Sequence, residues 1–289
     1  MLMLLRKSIE IALLLFLITG CGKPEKNAVN SLNKNPVINI GHAGSGFNYL
    51  FMPFNPLPPN SFKSLSTALE NGATGVEVDI QITADNKLVL FHDKTVDNVV
   101  GLSGTVPSVM STDLIGGKYK IGFPYDLFQD EEVISFKRWI RHAISLPDIP
   151  YLQMDIKSSP DQSAESKMKL LELINSELKE VNYPLEKVIA IGVDPALLLM
   201  MNKIEPKMNL AFEPGDFQGG LDWAKANNCK YLILDYKKLT GEKIETAHSQ
   251  GIGIIAFGGK SRSTLVKIIN MRPVFIQSNN VALVTELLE

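Results

Sequence analysis

The residues that could do chemistry sit in two short stretches and at one strand end. The segment GVEVDIQITADNKLVLFHD, residues 75–93, places Glu77 and Asp79 two apart among β-branched residues and stops on His92. Alternate side chains of a strand share a face, so Glu77 and Asp79 lie together while Val76, Val78 and Ile80 point the other way. The segment YLQMDIK, residues 151–157, repeats the pattern with Gln153, Asp155 and Lys157 on one face. His42 closes the apolar run INIG, immediately before a Gly-rich turn. Three carboxylates without a cysteine suit one hard divalent cation, Mg2+ or Ca2+, in preference to zinc. Two histidines beside them suit general acid and general base roles near neutrality. Metal, acid, base and lysine together fit attack on a phosphodiester, where developing oxyanion charge has to be stabilised.

Something must bring these residues to one place. Strand patterns fall at Val37–Ile40, Gly75–Ile80, Lys87–Phe91, Tyr151–Ile156, Val188–Ile191, Met208–Phe212, Tyr231–Leu234, Ile252–Phe257 and Val274–Ile276. Between them lie amphipathic segments at Ser61–Asn71, Val133–Ser145, Ser163–Val181, Pro195–Ile204, Leu221–Asn227, Thr240–Gln250 and Thr264–Asn270. Alternation of this kind predicts a parallel sheet with right-handed crossovers. The strand ending at Ile80 and the one starting at Lys87 are too close for a parallel crossover, so they form a hairpin. A turn centred on Asp85-Asn86 sets His92 across from Asp79. Eight strands remain, and the predicted fold is α/β, a (β/α)8 TIM barrel with a β-hairpin insertion after strand 2. Barrel interiors are apolar and polar residues gather at strand C-termini, the place taken by Glu77, Asp79 and Asp155. The loop-rich stretch 100–126 is expected to cap the mouth.

A chain of 289 residues, 45% of them hydrophobic, can bury one large core. With 29 basic against 31 acidic residues, nothing points to nucleic acid. The N-terminus reads as an export signal: Arg6 and Lys7, the apolar run Ile11–Ile18, then Ile18-Thr19-Gly20-Cys21. The run is too short to span a bilayer of about 30 Å. ITGC resembles the lipobox of bacterial lipoproteins, which implies lipidation at Cys21 and a membrane partner through an N-terminal lipid anchor. Residues 1–21 are therefore read as signal peptide and lipobox, 22–36 as a flexible tether and 37–289 as the barrel domain. The expected location is the bacterial cell envelope, facing periplasm or exterior. Cys229, the other cysteine, has no disulfide partner and is expected to be buried.

Several motifs now point to one family. PPNS at 58–61, GATGVEVDIQITADNKLVLFHD at 72–93 and GLSGTV at 101–106 resemble the glycerophosphodiester phosphodiesterases. Those enzymes carry Pro-Glu-Asn-Ser/Thr, Glu-x-Asp followed by a Thr-x-Asp-Gly turn, and His-Asp in the same order. The resemblance implies a TIM barrel, catalytic His42 and His92, metal ligands Glu77, Asp79 and Asp155, and a small-molecule or lipid-derived phosphodiester substrate. It departs from the family at three places. Ala43 stands where the family has an arginine that contacts phosphate, Asp155 precedes Lys157 where Glu-x-Lys is common, and IQSNN at 276–280 replaces Thr-Asp. The Asp-x-Lys form is similar to the sphingomyelinase D relatives, and Lys157 is read as substrate-binding.

The leading expectation is metal-dependent hydrolysis of glycerophosphodiesters to an alcohol and glycerol 3-phosphate. The alternatives are phospholipase D-type action on lysophospholipid or sphingolipid, and a non-catalytic phosphodiester-binding lipoprotein. Outside the two stretches the signals are structural: His142 and His248 fall on amphipathic helices, and Trp139 and Trp223 on helical packing positions. GHAGSG lacks the dinucleotide spacing, and no Walker, His-Glu-x-x-His or Gly-x-Ser-x-Gly motif is present.

Overall fold

The computed structural model describes residues 37–51, 53–158 and 162–289. The signal, Cys21 and the tether lie outside the described residues. Among the described residues nine strands form, in the order β1 (Ile38–Gly41), β2 (Gly75–Ile82), β3 (Leu88–Leu90), β4 (Tyr151–Ile156), β5 (Val188–Gly192), β6 (Asn209–Phe212), β7 (Tyr231–Asp235), β8 (Gly253–Phe257) and β9 (Phe275–Ser278). All except β3 pair in parallel, and β1 meets both β9 and β2, which closes an eight-stranded barrel. The helices are α1 (Phe62–Glu70), α2 (Ser111–Leu114), α3 (Phe136–Ala143), α4 (Ala164–Glu180), α5 (Pro195–Ile204), α6 (Phe217–Ala226), α7 (Gly241–Ser249), α8 (Arg262–Met271) and α9 (Val281–Leu288). The chain adopts the expected TIM barrel.

Two apolar layers follow from strand alternation. Val76, Val78, Ile80, Leu152, Met154, Leu232 and Ile254 point outward and pack under the helices. Ile40, Ile189, Ile191, Ala211, Tyr231, Ile233, Ile255 and Phe275 fill the barrel interior. On β2 the inward positions are Glu77 and Asp79, both buried, so the interior turns polar on this side. Most helices start at a capping side chain, among them Ser61, Ser135, Ser163, Asp216 and Ser261.

The hairpin forms, but in a different register from the one expected. Ile80 faces Leu90 and Ile82 faces Leu88, and the Phe91 N–H donates to the Asp79 carbonyl at 2.9 Å. Phe91, and not His92, therefore stands across from Asp79. The cause is the turn: Thr83 N donates to Lys87 O at 2.9 Å, leaving a three-residue loop in which Asn86 takes φ 59°. His92 then falls just beyond the strand.

Two helices also differ. α6 begins at Phe217, four residues before the apolar pattern starts, because Asp216 caps it and Gly219 and Gly220 are helical; a Cβ at Gly220 would lie 2.4 Å from the Pro214 ring. α9 follows β9 and was not expected. The stretch after β3 builds a satellite core, with Val96, Val99, Val106, Leu114, Tyr119 and Val133 packed on Val89 and Phe91 of the hairpin. It reaches the β1–α1 loop, where Phe54 meets Tyr125 and Phe128. Trp139 and Cys229 are buried, as expected.

Candidate active site

The site is organised by the turn after β1. Ala43 and Gly44 take φ 47° and 91°, which swings the Ala43 N–H onto Glu77 Oε2 at 2.7 Å. A Cβ at Gly44 would meet Ser64 backbone at 2.6 Å, so this approach to α1 requires glycine. Ser64 Oγ donates to the Ala43 carbonyl at 3.2 Å. From the same loop Asn60, fully buried at φ 64°, donates Nδ2 to Asp79 Oδ2 at 2.7 Å and accepts from the Asp79 N–H at 3.0 Å. Two backbone segments thus pin the β2 carboxylates.

β4 lies beside β2 with Asp79 in register with Asp155. One carboxylate oxygen from each of Glu77, Asp79 and Asp155 lies within 4.8 Å of the others. Lys157 Nζ bridges Asp79 Oδ1 at 2.8 Å and Asp155 Oδ2 at 2.5 Å. Burial, reinforced by Asp79 and Asp155, pushes the Glu77 carboxyl well above the usual range. Burial also lifts Asp155, while at Asp79 the Lys157 charge overrides burial and holds the group low. Carboxylates crowded in this way lack positive charge, and an oxygen-only donor set of this size fits one hard divalent cation.

The histidines stand on either side. His42 Nδ1 lies 3.0 Å from Asn279 Oδ1, which fixes the Nδ1–H tautomer and leaves Nε2 as the acceptor. Burial lowers its pKa to about 4. His92 Nδ1 lies 2.8 Å from Asp93 Oδ1, and that bond raises its pKa against burial. Gln81 supports the His92 segment, donating Nε2 to the carbonyls of Phe91 and Asp93 at 2.7 and 2.9 Å. The Phe47 ring lies edge-on between the two, 5.0 Å from His42 and 4.9 Å from His92.

His42, Glu77, His92, Asp155 and Lys157 line one cavity of about 220 Å³, closed by Phe47, Glu213, Phe257 and Gln277. Asp79 is buried behind Lys157. Every site residue predicted within the barrel therefore converges. Gln277 Nε2 donates to Gln153 Oε1 at 2.7 Å across the barrel. A wider cleft of about 550 Å³ between α1 and α3 holds none of these residues. Sequence reasoning missed Asn60, Phe47, Glu213 and Asn279. Glu213 directly follows β6, a strand-end carboxylate of the kind that drew attention to Asp155, and burial together with Asp155 raises its pKa. Asn60 lies within the quoted PPNS motif and Asn279 within IQSNN, whereas Phe47 carries no chemical signal of its own.

The profile of the glycerophosphoryl diester phosphodiesterase family matches residues 42–273. Glycerophosphodiester phosphodiesterase 1 of Rattus norvegicus is 37% identical over 82 residues, 28% of this chain and 22% of that protein. Glycerophosphodiester phosphodiesterase of Caldanaerobacter subterraneus subsp. tengcongensis is 37% identical over 67 residues, 23% of this chain and 24% of that protein. The chain thus spans about a quarter or less of the length of these curated relatives. Among solved structures, a glycerophosphodiester phosphodiesterase from Parabacteroides distasonis superposes with TM-score 0.73 at 19% identity, over 89% of this chain and 98% of that one. A phosphodiesterase of Oleispira antarctica, in complex with the product sn-glycerol-3-phosphate, gives 0.75 at 15% identity, over 87% and 96%. The structures share the fold, and the profile spans the barrel from His42 to beyond α8: the chain belongs to the glycerophosphoryl diester phosphodiesterase family.

Proposed function

We propose that the protein hydrolyses glycerophosphodiesters to an alcohol and glycerol 3-phosphate with the help of one divalent cation, Mg2+ or Ca2+. The observation that carries this reading is the cluster of Glu77, Asp79 and Asp155, within 4.8 Å of one another, flanked by two histidines of opposite electrostatic setting. The three carboxylates would hold the cation, which supplies Lewis-acid stabilisation of charge on a phosphoryl oxygen. His42, kept neutral and presenting Nε2, takes the proton of the nucleophile, either water or the glycerol 2-hydroxyl, the latter giving a cyclic phosphate that water then opens to glycerol 3-phosphate. His92, whose pKa the bond to Asp93 raises, returns a proton to the alkoxide as its bond to phosphorus breaks. Environments that push two titratable groups apart assign acid and base in this way. Lys157, paired with both Asp79 and Asp155, would stand beside the phosphoryl group.

The test is release of glycerol 3-phosphate from glycerophosphocholine with Mg2+ or Ca2+ and with EDTA. Turnover that EDTA abolishes, and that His92→Ala and Glu77→Ala each remove in folded protein, supports the reading; most of the activity surviving in either variant sinks it. A lipid-derived substrate is favoured by one further observation. Leu50 and Phe51, 38% and 61% exposed, crown the loop that carries Phe47 into the site. Headgroup release from lysophospholipid or sphingolipid, without action on glycerophosphocholine, would select the phospholipase D-type reaction. The proposal includes anchoring of the mature protein at the cell envelope through Cys21; lipid labelling that Cys21→Ala leaves intact would rule it out.

A further inference from the structure

The hydrolytic reading leaves a charge imbalance at the mouth. Glu77, Asp155 and Glu213 line the cavity with Asp79 just behind, and the ammonium that lines it, Lys157, is already bound to two of these carboxylates. Even with a divalent cation in place, the cation, Lys157 and a protonated His92 at most balance the four carboxylates, so a phosphodiester anion meets no net positive charge. A second ammonium stands on the loop that follows Phe257, a residue of the cavity wall. Lys260 Nζ lies 3.6 Å from the centroid of the Tyr49 ring, and among the described residues it pairs with no carboxylate.

The loop that carries Lys260 is fixed to the site at several points. It leaves β8 at Phe257, a cavity-lining residue, and turns through Gly258 and Gly259 at φ 92° and 86°. A Cβ at Gly259 would press on Ile268 and Thr264 at 3.0 Å, so the turn is reserved for glycine. Gly258 N donates to Gln277 O at 3.0 Å, Asn279 N to Gly259 O at 3.3 Å, and Asn280 Nδ2 to Lys260 O at 3.0 Å. The Tyr49 platform is tied to the histidine: Asn279 donates Nδ2 to Tyr49 Oη at 3.3 Å while its Oδ1 faces His42 Nδ1 at 3.0 Å. Two side chains, Tyr49 and Asn279, separate the Lys260 ammonium from His42. β8 and β9 are the seventh and eighth strands of the closed barrel, and the loops after these strands frequently hold phosphate in (β/α)8 proteins.

We propose that Lys260, held over Tyr49, receives the phosphate anion of the diester and sets affinity for the glycerophosphoryl group, a role that rests on the hydrolytic reading above. The ring shields one side of the ammonium through a cation–π contact. An ammonium carries three donors in all, and those turned away from the ring are available to phosphoryl oxygens.

The test compares wild type, Lys260→Met and Lys260→Arg by steady-state kinetics on glycerophosphocholine and glycerophosphoserine, with glycerol 3-phosphate binding measured by calorimetry. Lys260→Met should raise KM on both substrates, and the Kd for glycerol 3-phosphate, by about tenfold or more, the size expected for loss of a charge-assisted bond. Its kcat and melting temperature should stay close to wild type, and Lys260→Arg should recover most of the affinity. An unchanged KM, or a fall in kcat alone, overturns the assignment. An effect confined to glycerophosphoserine also overturns it, because the lysine then reads the anionic alcohol. If wild type turns over neither substrate, the hydrolytic reading fails separately; glycerol 3-phosphate binding then decides the lysine, and equal Kd values or no binding at all refute it.

Discussion

Asn60 gives the sharpest test of how the site is held. It is fully buried in the left-handed region at φ 64°, and it both donates to the Asp79 carboxylate and accepts from the Asp79 N–H. Asn60→Ala removes both bonds. The orphaned buried N–H costs about 1–3 kcal/mol, and the charge-assisted bond to the carboxylate about 1.5–3 kcal/mol. The bonds alone amount to about 4 kcal/mol, which at about 2–4 °C per kcal/mol for a domain of this size lowers Tm by at least about 8–16 °C. Asn60→Gly loses the same bonds but escapes the left-handed penalty of about 1–2 kcal/mol that alanine carries, partly offset by chain entropy of about 0.5–1 kcal/mol. The glycine variant should therefore melt above the alanine variant. Thermal unfolding by circular dichroism in EDTA reads both shifts without involving catalysis. A drop below about 3 °C for Asn60→Ala, less than half of the smallest shift expected, would show that Asp79 is positioned by something else.

Three further outcomes follow from the charges. Mg2+ or Ca2+ should raise Tm of the metal-free protein, by the equivalent of about 2.7 kcal/mol at a hundredfold excess over Kd, and Glu77→Gln should erase the shift; no shift in wild type refutes the cation site. Lys157 bridges Asp79 and Asp155, so Lys157→Met should tighten divalent-cation binding in calorimetry while lowering kcat; weaker binding would mean that the lysine does not compete for that space. His42 has its pKa lowered from 6.5 to about 4, so between those values the unfolded chain binds more protons and stability falls as pH drops. In EDTA, Tm of wild type should decline over this window more steeply than Tm of His42→Gln, and parallel curves would remove the basis for a neutral His42.

How much of this was legible in the sequence differs from residue to residue. Period-two alternation placed Glu77 with Asp79 and Gln153 with Asp155, because a barrel strand leaves a side chain no other choice of face. The short gap between Ile80 and Lys87 excluded a crossover and so fixed the barrel count. The hairpin register was not legible, since a two-residue and a three-residue turn both fit ADN, and Asn86 in the left-handed region decided between them. The start of α6 was hidden by Gly219 and Gly220, whose reason for being there is the close pass of Pro214. Asn60, Asn279 and Phe47 act through tertiary neighbours, which local pattern does not carry. Glu213 was readable by the strand-end rule and was passed over.

The seam between β1 and β2 has a consequence for motion. Strand pairing there covers only Ile40 with Gly75 and Gly41 with Val76, whereas β2 and β4 pair over six positions. Above Gly41 the edges are joined instead by Ala43 N–H to Glu77 and by Asn60 to Asp79. The barrel is thus zipped, at one of its two shortest ladders, by the same carboxylates proposed to hold the cation. Local opening concentrates where backbone ladders are short, so the exchange of the Ala43 and Asp79 amide protons with solvent is governed by the ionisation and occupancy of the site. Protonation of Glu77 or loss of Asn60 weakens these ties and leaves more of the opening to the two ladder pairs.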